Sequence, residues 1–186
     1  ALVLSVELCG QTFRRSDTSA ENYVGAALFG DGAAAAVITG DEISRTGPAV
    51  VATGAELFPE TGHVMGWDFK DDGMKLVLTQ EVPATIEKHV LPAVTRFLAG
   101  HGLERRHVRH FILHPGGTRV LRAYRDVMGL TEEQLRPSRE CLRTVGNLSS
   151  AAVMFVLASI RGEPGDVGLM AAVGPGFAVE MSLLRW

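Results

Sequence analysis

Alternating runs of apolar and polar residues divide the chain into short strands and longer helices. Residues 1–8 are apolar and are bounded by Gly10, which is typical of a buried strand, and the small residues of segment 33–39 predict another strand. Further strands are predicted at 48–58, 74–79, 108–113, 168–173 and 178–184. The polar, glycine-containing segment 59–72 is predicted to be a loop.

Residues 83–99 carry the clearest helical periodicity. Pro83 begins the segment and Gly100 ends it, which suits the two ends of a helix. Its apolar positions recur at helical spacing and predict one buried face, formed by Ile86, Val90, Leu91, Val94, Phe97 and Leu98.

Other helices are predicted from shorter patterns. Segment 23–28 is a short helical or bent piece, and 120–128 and 131–136 are helices. An apolar helix is predicted to begin at Asn147 or Ser149 and to end near Arg161. Because strands alternate with helices, the sequence predicts an α/β fold.

Composition narrows the possible functions. The chain has 186 residues, of which 46% are hydrophobic, enough for one compact domain with a core. The net charge is −3 and the basic residues are scattered, so we expect no nucleic-acid partner. No apolar run is long enough for a membrane-spanning helix, so we expect no membrane span.

The two cysteines, Cys9 and Cys141, lie far apart in the sequence. They form neither a disulfide framework nor a metal-binding motif, and we therefore expect a cytoplasmic protein. The histidines between His101 and His114 are too widely spaced to suggest a metal site. Because the chain starts inside a predicted strand without a methionine, we expect it to be a piece of a longer protein.

The segment from His114 to Gly117 is the strongest candidate for chemistry. A predicted strand ends at His114, and a proline and two glycines then turn the chain into a helix. In α/β proteins, binding sites usually lie at such strand ends. A histidine that only packs at the end of a strand remains the alternative.

The segment Gly146-Asn147-Leu148-Ser149-Ser150 is the second candidate. An asparagine at a helix start is often only an N-cap. Its side-chain amide can also donate hydrogen bonds to a carbonyl oxygen without a change of charge, which suits an oxyanion hole. Two turns, Phe29-Gly-Asp-Gly32 and Gly174-Pro175-Gly176, complete the set of motifs and are not diagnostic alone.

Taken together and in this order, these motifs resemble the C-terminal half of type III polyketide synthases, the chalcone and stilbene synthase family. Two further stretches, Val6-Glu-Leu-Cys9 with Thr12-Phe13 and Met65-Gly-Trp-Asp68, add to the resemblance and look more like bacterial members. The resemblance covers nearly the whole chain. It implies a thiolase-like fold of two similar halves, of which residues 1–186 would be the second.

The resemblance also implies roles for individual residues. His114 and Asn147 match the family's catalytic histidine and asparagine, and the nucleophilic cysteine would come from the absent N-terminal half. Cys9, Thr12 and Ser149 match cavity-lining positions, and Phe29 matches one of two gatekeeper phenylalanines. The second gatekeeper position falls near Leu76, an aliphatic residue that would leave room for an aliphatic starter. The implied substrate-binding set further includes Gly116, Gly117, Gly174, Pro175 and Gly176.

The implied activity is decarboxylative condensation of malonyl-CoA onto an acyl-CoA starter, followed by cyclisation to alkylpyrones or alkylresorcinols. No metal or organic cofactor is implied, and the family is normally homodimeric. Since this chain lacks the nucleophile, we expect it to be inactive alone. Two alternatives stay open: a ketoacyl-synthase III type condensing enzyme, which usually has His-Gln-Ala-Asn at the histidine, and a non-catalytic thiolase-fold domain used for binding.

Overall fold

The computed structural model describes residues 1–43, 47–71 and 73–186, and it has an α/β architecture. The strands in chain order are β1 (Leu2–Glu7), β2 (Gly32–Val37), β3 (Ala49–Leu57), β4 (Met65–Lys70), β5 (Gly73–Leu78), β6 (His110–Leu113), β7 (Val167–Gly174) and β8 (Ala178–Arg185). The helices are α1 (Ala20–Leu28), α2 (Val82–Ala99), α3 (Thr118–Met128), α4 (Glu132–Val145) and α5 (Ser150–Ser159). The predicted α/β class is confirmed.

A four-stranded mixed sheet, in the order β3-β8-β7-β6, forms the centre of the fold. β6 runs parallel to β7, with Leu113 opposite Ala171, and the other pairs are antiparallel. The residues of β6 from Phe111 to Leu113 are almost fully buried, as expected for a strand covered on both faces. This strand therefore delivers His114 to a fixed place at the sheet's edge.

Helix α2 confirms the prediction made from its periodicity. Ile86, Val90, Val94 and Leu98 are each at most 1% exposed, and Leu91 and Phe97 pack at the margin of the same core. One apolar face thus attaches the helix to the main core, in which it contacts α3.

Two predictions about secondary structure are wrong. The predicted loop 59–72 contains strand β4, which pairs with β5 so that Trp67 lies opposite Leu76. Helix α4 was predicted to end before Pro137, but it continues to Val145. The reason is packing, because Leu135, Ser138 and Cys141 are buried on one face of α4, and this burial offsets the hydrogen bond that proline removes.

Strands β1 and β2 form a separate antiparallel sheet, joined to the rest of the chain chiefly through α5. Much of their apolar surface is exposed, including Leu4 at 65% and Val37 at 74%. The prediction of a strand at residues 1–8 is therefore right, but the prediction that it is buried is wrong in this chain, because β1 pairs only with β2 and packs chiefly against α5. A two-stranded sheet is marginally stable by itself, so its contacts with α5 matter for its position.

Candidate active site

His114 lies directly after β6, and its backbone is held on both sides. Its N–H donates to the carbonyl oxygen of Ala171 at 2.9 Å, and the N–H of Gly116 donates to the carbonyl oxygen of His114 at 2.9 Å. Gly117 has a φ of 148°, a conformation that favours glycine, and α3 begins at the next residue.

Burial lowers the pKa of His114 to about 4, so in this chain the imidazole is neutral at neutral pH. A neutral imidazole can donate one hydrogen bond and accept another.

Asn147 is 4% exposed, and its side chain has a defined orientation. Its Oδ1 accepts a hydrogen bond from the N–H of Ser149 at 2.9 Å. Its Nδ2 therefore points the other way, and lies 3.4 Å from the carbonyl oxygen of Gly116, two residues beyond His114. That contact is long for a hydrogen bond, so the amide keeps donor capacity for another oxygen nearby.

The Phe29–Gly32 turn holds the backbone of Asn147. The N–H of Asn147 donates to the carbonyl oxygen of Leu28 at 2.9 Å, and the N–H of Gly30 donates to the carbonyl oxygen of Asn147 at 3.0 Å. Phe29 and Asn147 consequently form a parallel β-bridge. The turn motif and the asparagine motif, far apart in the sequence, are thus one structural unit.

Glycines make this close approach possible. A Cβ on Gly30 would lie 2.7 Å from the carbonyl oxygen of Val145, and one on Gly32 would lie 2.7 Å from Leu148 Cδ1. Gly146 has a φ of 77°, and a Cβ there would lie 2.9 Å from the carbonyl oxygen of Leu28. Sequence reasoning had interpreted Phe29–Gly32 as a turn with a gatekeeper, and it missed this positioning role.

A first cavity, of about 560 Å³, opens beside the turn that follows His114. Gly116 and Gly117 form part of its wall, so the structure places these two predicted residues together at a cavity. The rest of the wall comes from Thr118, Arg119 and Val120, one side of α1, and residues 78–80, 82 and 83.

A second cavity, of about 290 Å³, brings together four residues that the sequence had proposed for substrate binding. These four residues, which come from three separate segments, are Cys9, Thr12, Phe29 and Leu76. The remaining wall residues are Gly10, Phe13, Asn22, Gly25 and Ala26. The arrangement is that of a small, mainly apolar chamber bordered by α1 and β5.

Cys9 is chemically unsuited to act as a nucleophile in this cavity. Partial burial raises the pKa of its thiol, and the nearby carboxylates of Glu7 and Asp31 raise it further. A thiolate, the reactive form, is therefore disfavoured at neutral pH. Cys141 is buried, and burial likewise raises the pKa of its thiol.

The other predicted residues lie outside the walls of these two cavities. Ser149 follows Asn147 closely and adopts a φ of 51°, which is unusual for a residue with a side chain. Gly174, Pro175 and Gly176 connect β7 to β8, and a Cβ on Gly176 would lie 2.9 Å from Leu57. The predicted turn is confirmed, while any contact of these four residues with a substrate stays a prediction.

Glu7 and Asp31 have structural roles that sequence reasoning missed. The carboxylate of Glu7 accepts hydrogen bonds from the N–H, at 3.2 Å, and from the hydroxyl of Ser150, at the start of α5. An acidic group is favourable at the N-terminus of a helix. Asp31 Oδ1 accepts a hydrogen bond from the N–H of Gly10 at 2.6 Å. Because Gly10 lines the second cavity, this bond connects the cavity wall to the Phe29–Gly32 turn. Glu7 and Ser150 are 143 residues apart, and no local pattern could have indicated this contact.

Within residues 1–43, 47–71 and 73–186, no cluster of three or more histidine, cysteine, aspartate or glutamate side chains could hold a metal ion. In the same part of the chain, no helix has the length and hydropathy needed to cross a bilayer.

Comparison with known proteins gives one consistent result. A family model described as "Chalcone and stilbene synthases, C-terminal domain" matches residues 49–186, which begin at β3. A 1,3,6,8-tetrahydroxynaphthalene synthase of Streptomyces peucetius subsp. caesius is 43% identical over 100% of this chain and 51% of its own length. A 3,5-dihydroxyphenylacetyl-CoA synthase of Amycolatopsis orientalis is 33% identical over 100% of this chain and 51% of its own length.

Solved structures agree with these sequence relatives. The crystal structure of 1,3,6,8-tetrahydroxynaphthalene synthase from Streptomyces coelicolor A3(2), a bacterial type III polyketide synthase, superposes with a TM-score of 0.92 at 32% identity. The match covers 100% of this chain and 53% of that structure. The chain therefore spans about half the length of the relatives it matches, and the predicted thiolase-like architecture is confirmed.

Proposed function

We propose that this chain, which belongs to the chalcone and stilbene synthase family, supplies the histidine and asparagine of a type III polyketide synthase. The observation that carries the proposal is the convergence of His114 and Asn147 on the turn at Gly116, next to the first cavity. The nucleophilic cysteine would be supplied by an N-terminal half of the same protein, and residues 1–186 would act as the C-terminal part. We expect the complete enzyme to be a homodimer, and this chain alone to be inactive because it lacks the nucleophile.

In the first step, the thiol of that cysteine gives its proton to His114. The thiolate attacks the carbonyl carbon of an acyl-CoA starter, and the CoA thiolate leaves. Burial lowers the pKa of His114, whereas a thiolate beside the ring raises it again by stabilising the imidazolium. The pair can therefore exchange a proton near neutral pH.

In the second step, malonyl-CoA loses CO₂ and the released electron pair forms an enolate, with negative charge on the thioester oxygen. Asn147 Nδ2 and the imidazole N–H of His114 would donate hydrogen bonds to this oxygen. The enolate carbon then attacks the acyl-enzyme, the cysteine thiolate leaves, and the acyl chain is two carbons longer. Asn147 suits this role because its Oδ1 accepts from the N–H of Ser149, and its Nδ2 lies 3.4 Å from the carbonyl oxygen of Gly116, a residue in the wall of the first cavity.

The two cavities support separate roles. The first has an apolar wall with an exposed Arg119, and it suits the arm of a CoA thioester, whose phosphates would meet the guanidinium. Glu21 also lies in this wall and would disfavour phosphates at its own position. The second, with Cys9, Thr12, Phe29 and Leu76, suits the growing chain.

The starter and product are the finer part of the proposal. We propose an acyl-CoA starter with an aliphatic chain, on the grounds that Leu76 is aliphatic, and cyclisation to alkylpyrones or alkylresorcinols. A second candidate product is tetrahydroxynaphthalene, which is favoured by the 43% identity to a synthase of that name.

The test is to incubate the full-length enzyme with malonyl-CoA and a panel of acyl-CoA starters and to identify products by mass spectrometry. We expect pyrones or resorcinols from a long-chain starter, and loss of product in His114→Ala and Asn147→Ala. Tetrahydroxynaphthalene from malonyl-CoA alone would favour the second candidate. A single condensation that prefers an acyl-carrier protein would instead indicate a fatty-acid type condensing enzyme, and no condensation at all would contradict the proposal.

A further inference from the structure

The turn between β7 and β8, residues 175–177, lies at the same edge of the sheet as His114. β6 and β7 run parallel, and their register ends with Leu113 opposite Ala171, so His114 stands level with the residue after Ala171. Gly174, the last residue of β7, therefore lies two positions beyond His114, or about 7 Å along the strand direction. A Cβ on Gly174 would meet nothing within 4 Å, so the turn begins beside open space at this edge.

The segment that follows β3 holds both backbone groups of Phe177, the last residue of this turn. The carbonyl oxygen of Phe177 accepts a hydrogen bond from the N–H of Phe58 at 2.9 Å, and its N–H donates to Oγ1 of Thr61 at 2.9 Å. The paired residues of β3 and β8 end at Leu57 and Ala178, so the Thr61 hydroxyl takes the place of a strand carbonyl just beyond the ladder. A side chain thus fixes the turn where strand pairing has ended.

The Thr61 hydroxyl is itself held by buried surroundings. It donates its proton to the carbonyl oxygen of Phe58 at 2.6 Å, so its oxygen presents a lone pair to the N–H of Phe177. The carbonyl oxygen of Thr61 accepts from the N–H of Val64 at 3.0 Å, and Val64 belongs to the main core. A valine at position 61 would keep the shape of the side chain but would leave the N–H of Phe177 without this acceptor, which destabilises the turn.

We propose that Thr61 is a positioning residue for polyketide formation, whose hydroxyl holds the β7–β8 turn in place beside His114. This inference rests on the proposed function and on the prediction that residues 174–176 contact the substrate. Thr61 lies outside the walls of the two cavities, so it acts through the turn and not by contact with the substrate. Because the β6–β7 pairing holds His114 independently, loss of the hydroxyl should leave starter loading intact and slow the steps that follow.

The experiment compares the full-length enzyme with Thr61→Val, which removes the hydroxyl, and Thr61→Ser, which keeps it. The matched control is Thr95→Val, because Thr95 is exposed on α2 and its hydroxyl donates only within that helix, to the carbonyl oxygen of Leu91. Active sites are first counted by mass spectrometry as acyl-enzyme formed from an acyl-CoA starter without malonyl-CoA, and kcat is then expressed per loaded site.

We expect Thr61→Val to lower kcat per loaded site by about tenfold, since a displaced group near the reacting atoms slows the reaction. KM for the acyl-CoA should stay within about twofold of the wild type, because the first cavity is unchanged. Thr61→Ser should restore kcat, and the Thr95 control should match the wild type. Amide hydrogen exchange at Phe177 should become at least about tenfold faster in Thr61→Val and remain slow in Thr61→Ser.

A purely structural role for Thr61 would lower the number of loaded sites and leave kcat per loaded site unchanged, and that result would overturn the inference. A failure of Thr61→Ser to restore kcat, or unchanged exchange at Phe177 in Thr61→Val, would also overturn it. A wild-type enzyme that makes no polyketide would instead refute the proposed function. The two failures are distinguishable, because exchange at Phe177 reports on the Thr61 contact whether or not the enzyme turns over.

Discussion

Replacing Gly30 with alanine tests whether the Phe29–Gly32 turn positions Asn147. The new Cβ would lie 2.7 Å from the carbonyl oxygen of Val145 and 3.1 Å from Leu148 Cδ2. The first contact is with a backbone atom, which can move only at a high cost in free energy. The Phe29–Gly32 turn must therefore separate from the segment that contains Val145 and Asn147.

The loss of stability in Gly30→Ala can be worked out from the contacts that the new methyl group would break. Two backbone hydrogen bonds join the segments, from Gly30 to Asn147 at 3.0 Å and from Asn147 to Leu28 at 2.9 Å. Each is worth about 1 kcal/mol net, and overpacking adds roughly 1–3 kcal/mol, so we expect the free energy of unfolding to fall by about 3–5 kcal/mol if both bonds are lost. Displacing a positioned group by roughly 1 Å can also lower the rate about 100-fold.

The assay is thermal unfolding of the full-length enzyme together with kcat for polyketide formation. Gly30→Ala should lower the melting temperature by several degrees and lower kcat by roughly 100-fold. The matched control is Gly40→Ala, because Gly40 is exposed and a Cβ there would meet nothing within 4 Å. If Gly30→Ala keeps the stability and kcat of the control, the positioning role of the turn is refuted.

The remaining predictions concern charge. Burial lowers the pKa of His114 to about 4, so the unfolded chain binds a proton here at a higher pH than the folded protein does, and stability is lost as the pH falls below about 6.5. In the full-length enzyme with its nucleophilic thiol alkylated, NMR should show His114 titrating with a midpoint near pH 4, and a midpoint near 6.5 would contradict this. Between neutral pH and pH 4, the free energy of unfolding of the wild type should fall by about 3 kcal/mol more than that of His114→Gln. If Arg119 binds the phosphates as proposed, Arg119→Gln should raise KM for the acyl-CoA roughly fivefold to tenfold with little change in kcat, since a positive charge is removed from the wall of the first cavity. Arg122→Gln, an exposed arginine one turn further along α3 and outside the cavity wall, should leave KM unchanged, and equal effects of the two variants would argue against the assignment.

Local sequence patterns predicted the parts of the fold that depend on neighbouring residues. The apolar spacing of α2 and the glycines around His114 are properties of short segments, and both predictions hold. The same reasoning failed at β4, whose strand depends on pairing with β5, and at Pro137, where the burial of one face carries α4 past the proline. In both cases a tertiary contact outweighed a local preference.

The sequence by itself determined the α/β class, the motifs with His114 and Asn147, and four of the residues that line the second cavity. Only the tertiary structure decided that the Phe29–Gly32 turn holds Asn147, and that Glu7 caps α5. The physical reason is the separation along the chain over which each kind of interaction acts. Periodicity and turn residues act through neighbours along the chain, whereas these contacts join segments more than a hundred residues apart and exist only after the core has packed.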